Sequence, residues 1–419
     1  MMRLFARRQD SRPSSEPQSG PVPPRAADRP DRRVIRRLRP EAEALDSRLL
    51  LASSSPTTVA ATGSSDVANR VAQALQPYFA QDQFPGISVA VVNDGQVALA
   101  QGYGLSNAAT GTAANANTRF DIGSVTKTFT AVGVLLLYQE SQGTSHALNL
   151  NAPISDYLHN TKSFKLPAKW SQITTLELLN MTSGIKDVGG NQPWQSELRS
   201  LAKDPLLFTP GTESSYSDAN YDLLGELIEQ WTGESYSTFI QNQILGPLGM
   251  SNTEVLGRSA TVPNQAVGYD APKHAKWPKA NVQNGLAMFA SAGIVSTAQD
   301  MATYMTALLS GRILDPATYA LMWTSTPTPQ YGVTPASDAM RGLGWDTAID
   351  ASTGPVEVAK TGQIPGFNSE LILFPSSDSG VFVSFNSRYQ GSRAAAGVSA
   401  VQVAESVYEA AQTGPATGS

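Results

Sequence analysis

DIGSVTKTF, residues Asp121 to Phe129, places Ser124 and Lys127 three residues apart, immediately before the apolar run AVGVLLLYQ at 131–139. Residues i and i+3 share a helix face, and a serine at a helix N-terminus lies at the positive end of the dipole. The apolar residues that follow cover every face of the predicted helix, which marks a buried central helix rather than an amphipathic surface one. In that setting a lysine can act as base toward a serine hydroxyl. The other local reading makes Ser124 an N-cap and Lys127 a solvated residue of the first turn. The segment alone supports both.

Upstream, DVANRVAQALQPYFAQ has helical spacing, and PGISVAVVNDGQVALAQGYG reads as two strands joined by turn chemistry at Asn93-Asp94-Gly95. Downstream, from about 150 to 320, most segments are helical: TTLELLNM, SDANYDLLGELIEQWTG, SYSTFIQNQILGPLGM and STAQDMATYMTALLSG, several closed by Gly or Pro. Short strands return at PVEVAKTG, NSELILFP and GVFVSFNS, before a helical GVSAVQVAESVYEAAQ. The expected fold class is α/β of the α+β type. One antiparallel sheet is built from both chain ends, flanked by helices, with a mostly helical domain inserted.

The 419 residues, 41% hydrophobic and 16% charged, suffice for a large core. A net charge of -5 argues against a nucleic-acid partner. The first fifty residues are the exception, with twelve arginines against seven acids, and their Pro/Ser/Arg-rich composition predicts disorder. The expected organisation is a leader and linker at 1–58, one folded domain at 59–412 and a tail at 413–419. No apolar stretch is long enough for a conventional signal peptide or an integral membrane segment. RRVIRRLRPEAEALDSRLLLASSS nonetheless resembles arginine-rich leaders of some bacterial envelope proteins, which makes export the expectation. Cysteine is absent, which excludes disulfides, thiolate metal sites and cysteine nucleophiles.

Ser-x-x-Lys is a weak signal by itself, since Ser183/Lys186 and Ser200/Lys203 repeat it, but only Ser124 stands before a long buried helix. Two further segments add weight. Tyr216-Ser217-Asp218 precedes a helix, where a tyrosine could relay a proton; the plain alternative is that Ser217 or Asp218 caps the helix. Lys360-Thr361-Gly362 ends a strand, where a cation and a hydroxyl could bind a substrate carboxylate and the glycine could let a substrate backbone approach. Its alternative is a turn with a surface lysine. Competing chemistries lack parts: Gly-x-Ser-x-Gly, HExxH, GxxxxGK[ST] and GxGxxG are all missing, and His146, His159 and His274 sit in polar, loop-like stretches. Neither metal nor cofactor is expected.

With FPGISVAVVNDGQVALAQGYG, TRFDIGSVTKTFTA, ITTLELLNMTSGI, NYDLLGELIEQWTG, ILGPLGMSNT and SAGIVSTAQDM beside the three motifs, the chain resembles the serine β-lactamase and penicillin-binding-protein superfamily over roughly residues 65 to 410. The resembling branch holds class C β-lactamases, D-Ala-D-Ala carboxypeptidases and related esterases. The resemblance implies an acyl-enzyme on Ser124, with Lys127 and Tyr216 sharing the base and acid roles. It also implies an oxyanion hole from the backbone N–H groups of Ser124 and Gln363, and substrate orientation by Lys360 and Thr361. The implied substrate is a D-Ala-D-Ala-type peptide or a small ester or amide, with β-lactam hydrolysis secondary; the alternative is a non-catalytic penicillin-binding-like sensor or binding protein. Two positions depart from the family pattern. Asp218 replaces the usual Asn, so it accepts hydrogen bonds without donating and would repel a substrate carboxylate. Met181 stands where His is common, and reads as structural.

Overall fold

The computed structural model describes residues 65–158, 165–189, 193–256, 262–272, 276–281, 288–333, 338–350, 354–388 and 397–412. The leader and tail expected from the sequence lie outside them, as do His159 and His274.

Helix α1 (Ser65–Ala80) leads into β1 (Gly86–Asn93) and β2 (Gln96–Asn107). The two strands pair antiparallel across a two-residue turn in which Asp94 has φ 47° and Gly95 φ 71°. Positive φ at both central residues is what a tight hairpin requires, and Asp-Gly tolerates it. The expected hairpin is therefore present.

β1 also pairs with β13 (Ser379–Phe385), Ile87 opposite Phe385, which joins the chain ends at the middle of the sheet. Among the described residues the sheet has nine strands in the order β3-β2-β1-β13-β12-β11-β10-β9-β8, every pairing antiparallel. Here β3 is Thr112–Ala113, β8 Thr326–Pro329, β9 Asp338–Arg341, β10 Asp346–Asp350, β11 Gly354–Ile364 and β12 Phe367–Phe374. The edge strands β8 to β10 were not legible in the sequence.

Side chains alternate across a sheet. Val89, Val91 and Val383 face one layer with Val71 and Leu75 of α1 and Val403 and Val407 of the last helix, Ala400–Gln412. Ala90, Val92, Leu371 and Phe382 face the other, with Phe129 and Leu135. β1 is buried from Gly86 to Val92 because it is covered on both faces.

The second layer centres on helix α2 (Thr126–Ser141), whose residues from Thr126 to Leu137 are all buried, as the run 131–139 predicted. Around it lie α3 (Thr175–Leu179), closed at its start by a Thr174–Glu177 capping box, and α4 (Asp218–Thr232), closed by Gly233 at φ 71°. A second, three-stranded sheet, also not anticipated, is formed by β4 (Phe120–Asp121), β7 (Ile294–Ser296) and β5 (Glu254–Val255). It holds the chain just ahead of α2, through Phe120 opposite Ser296 and Ile122 N–H bonded to Ile294 O at 3.1 Å.

Candidate active site

Ser124 lies in a 3₁₀ turn, Gly123–Val125, that runs directly into α2. The turn needs Gly123 at φ 49°, and the main sheet clamps it: Ser369 Oγ on β12 donates to Ile122 O at 2.7 Å, and Ser384 Oγ on β13 donates to Asp121 O at 3.1 Å. The serine itself is 7% exposed. Its hydroxyl is thus fixed but reachable.

Lys127, one turn along α2, is completely buried. An ammonium has three donors. Here they meet Asp218 Oδ1 at 2.6 Å, Ser291 O at 2.8 Å and Ser124 Oγ at 3.2 Å. The nitrogen also stands 4.9 Å from the centre of the Tyr216 ring.

Tyr216 Oη is 2.6 Å from Ser124 Oγ and 2.9 Å from Asp218 Oδ1. A carboxylate only accepts, so the phenol donates to Asp218 and its oxygen accepts the hydrogen bond from the Ser124 hydroxyl. Burial raises the Tyr216 pKa well above its ordinary value and the Asp218 charge raises it further, against the opposing bond to Ser124. Tyr216 is a neutral phenol at physiological pH. The preceding Ser215 N–H is held by Met181 O at 3.0 Å, with Met181 itself at φ 64°. Asn220 Nδ2 donates to its sulfur at 3.3 Å, which makes Met181 part of the frame beneath Tyr216.

Asp218 opens α4, yet its carboxylate faces Lys127 and Tyr216 instead of capping the helix. Asp187 takes the capping part, its Oδ1 accepting Asp218 N–H at 3.1 Å. Ser217 makes no side-chain cap either. The other Ser-x-x-Lys pairs are inert as dyads. Ser183 Oγ donates to Asn220 Oδ1 at 2.6 Å while Lys186 reaches Asp204 at 3.8 Å, and Ser200 and Lys203 are exposed.

β10 pairs with β11 only as far as Ala359, so the Lys360–Ile364 part of that edge is left to run past Ser124. Val358 belongs to the helical-side core and Ala359 to the opposite one, so alternation puts Lys360 on the Ser124 side and Thr361 on the far side. Lys360 is 4% exposed, 5.5 Å from the Tyr216 ring centre, and its Nζ reaches Asp346 Oδ2 at 3.2 Å. The Thr361 side chain instead stands beside Glu370, its partner across the β11–β12 ladder. Lys360 and Thr361 thus lie on opposite faces of β11. At Gly362 a Cβ would lie 2.2 Å from Ile122 O and 3.1 Å from Ser124 N, so the glycine admits the Ser124 turn. Gln363 N lies 3.1 Å from where a Cβ on Gly123 would stand, which brings the Ser124 and Gln363 amides to the same contact.

Three contributors escaped the sequence reading. Ser291 acts through its backbone carbonyl, which no side-chain pattern reveals. Asp346 and Arg341 come from edge strands, Arg341 Nη1 donating to Asp346 Oδ1 at 2.7 Å. His146 is exposed and bonded to neighbouring Ser145. Among the described residues no group of three or more His, Asp or Glu could hold a metal ion, and no helix is long and apolar enough to cross a membrane.

A large antiparallel sheet closed by both chain ends, with a serine and a lysine one turn apart at the head of a buried helix, is the architecture of the β-lactamase and transpeptidase fold. The chain belongs to the Beta-lactamase family, whose model matches residues 71–405, and so to the serine β-lactamase and penicillin-binding-protein superfamily. Protein flp of Staphylococcus aureus (strain MRSA252) is 34% identical over 194 residues, 44% of this chain and 38% of that protein. Unguisins hydrolase ungD' of Aspergillus campestris is 29% identical over 351 residues, 78% of this chain and 62% of that protein. The match thus spans less than two thirds of either relative. Among solved structures, the octameric penicillin-binding protein homologue from Pyrococcus abyssi has a TM-score of 0.67 at 23% identity, covering 82% of this chain and 76% of that one. The D-amino acid amidase from Ochrobactrum anthropi SV3, complexed with L-phenylalanine amide, also has a TM-score of 0.67, at 24% identity over 82% of this chain and 98% of that one. Both likenesses are of fold. Family and site together support a serine hydrolase in general terms.

Proposed function

We propose that this protein hydrolyses an ester or amide acyl donor through an acyl-enzyme on Ser124. The observation that carries the reading is the pair of contacts on Ser124 Oγ, Tyr216 Oη at 2.6 Å and Lys127 Nζ at 3.2 Å. As Ser124 Oγ attacks the carbonyl carbon, its proton passes to Tyr216 Oη and the Tyr216 proton passes to Asp218. Lys127 holds its ammonium against the attacking oxygen and against Asp218. The Ser124 and Gln363 amides take the developing oxyanion, each donor contributing about 3 kcal/mol in sites of this type. When the carbonyl–leaving-group bond breaks, the proton returns along the same path to the leaving oxygen or nitrogen. Water then attacks the ester on Ser124 by the same relay, releasing the acid.

A D-Ala-D-Ala-type peptide and a small neutral ester or amide both fit this chemistry, with β-lactams behind them. The amidase among the structural neighbours and the hydrolase among the relatives support an amide or ester donor. The test is p-nitrophenyl acetate with the full chain and its Ser124→Ala form. Wild type is expected to release p-nitrophenol catalytically and, when quenched early, to carry one acetyl group on the Ser124 peptide. Equal turnover by Ser124→Ala, or no turnover of any ester or amide by wild type, overturns the proposal in favour of a non-catalytic binding protein.

A further inference from the structure

The cation that the sequence offers to a substrate carboxylate already holds one. Asp346 divides its two oxygens between two cations, Oδ1 to Arg341 Nη1 at 2.7 Å and Oδ2 to Lys360 Nζ at 3.2 Å. That is how a bound carboxylate is gripped by paired cations. The internal carboxylate cannot drift away: Asp346 is fixed in register opposite Ala359 on one side and Arg341 on the other, beside the strand that carries Lys360. The hydroxyl next in sequence gives no help, since Thr361 lies on the far side of the sheet with Glu370.

We propose that Asp346 is a specificity-determining residue that occupies the carboxylate subsite from within, so that the enzyme rejects acyl donors with a carboxylate beside the scissile bond and takes uncharged esters and amides. The inference rests on the acyl-enzyme reading above and narrows its substrate class. An incoming carboxylate would have to displace this tethered competitor from Lys360. An uncharged donor leaves it in place. Asp346 touches no reacting atom in this scheme and works through Lys360.

The test uses a matched pair of thioesters, benzoylglycyl-thioglycolate and its methyl ester, which share acyl group and leaving sulfur and differ in one carboxylate. Wild type is expected to favour the methyl ester. In Asp346→Asn the ratio of kcat/KM values should move toward the free acid by about tenfold, equivalent to 1.4 kcal/mol. The change should lie mainly in KM of the acid, and Lys360→Met added to Asp346→Asn should cancel it. A simple loss of folding would lower both donors together and leave the ratio unchanged. A second measurement needs no turnover: on a Ser124→Ala background, calorimetric binding of benzoylglycyl-glycine should tighten about tenfold when Asp346→Asn is added. Wild-type preference for the free acid, or no gain in either assay, overturns the proposal. Failure of Ser124 to form an acyl-enzyme would instead sink the general reading and leave the binding result standing.

Discussion

Gly362 and Ile122 touch backbone to backbone: a side chain on Gly362 would put its first carbon 2.2 Å from the Ile122 carbonyl oxygen and 2.3 Å from Ser369 Oγ. Neither neighbour is a flexible tip, because Ser369 Oγ is itself bonded to Ile122 O. Strand β11 and the serine turn can stand this close only while residue 362 has no Cβ.

Gly362→Ala should therefore push β11 away from Ser124. Expected are a fall in kcat of about 10²-fold or more, as for loss of one oxyanion donor, and a destabilisation of about 1–3 kcal/mol. Ester turnover and urea denaturation measure the two separately. Wild-type kcat in this variant would show that Gln363 N–H plays no part.

Replacing Lys127 with Met leaves Asp218 facing an apolar chain. Removing one partner of a buried ion pair costs about 3–5 kcal/mol. Since the Asp218 side chain is 21% exposed, the lower end applies. Turnover should drop by about 10³-fold. Unchanged stability in chemical denaturation would mean the pair is not formed in solution.

Asp218→Asn separates the two candidate proton acceptors. The amide retains the shape but cannot take a proton, so the Ser124–Tyr216 relay loses its end point. The expected result is kcat reduced by about 10²-fold with KM for a neutral ester changed less than about twofold. Full kcat in the variant would place the proton on Lys127 instead.

Glu370 gives a pH dependence. Burial pushes its carboxyl up from 4.5 to about 7, against the Thr361 hydrogen bond and the Lys360 charge. Between those values the folded protein holds a proton that the unfolded chain has released. Stability from this group is thus fully present below about pH 4.5 and is lost as pH rises toward 7, by up to about 3 kcal/mol. Glu370→Gln should flatten that fall, read as the difference in urea midpoint between the two proteins across the range. Parallel curves would refute it.

The hairpin at Asp94-Gly95 and the central helix were legible because each is a local rule: a turn that needs two positive φ values, and a run apolar on all sides. Ser124, Lys127, Tyr216 and Lys360, which the structure brings together, were also legible, each from a short motif beside a predicted element boundary. Asp346 was not. In the sequence it is one acid among many, and its meaning comes from a strand register that sets it beside Ala359. Strand alternation puts Thr361 on the opposite face of β11 from Lys360, a placement the motif alone does not display. Asp218 was singled out as an anomaly, but only the distances to Lys127 and Tyr216 reveal what it holds.

The joining of β1 to β13 gives the protein a birth order. Gly86 N–H is bonded to Asn386, 300 residues later, so on a ribosome adding about 5–20 residues per second the first hairpin waits roughly a quarter of a minute to a minute for its neighbour. Ser124 waits 239 residues for Gln363, roughly 12 to 48 seconds at the same rate. A nascent chain therefore carries Ser124 through that whole interval without the strand that stands beside it. Closing so long a loop is slow and leaves the free edge of β1 exposed meanwhile. That edge is where assistance during folding would act.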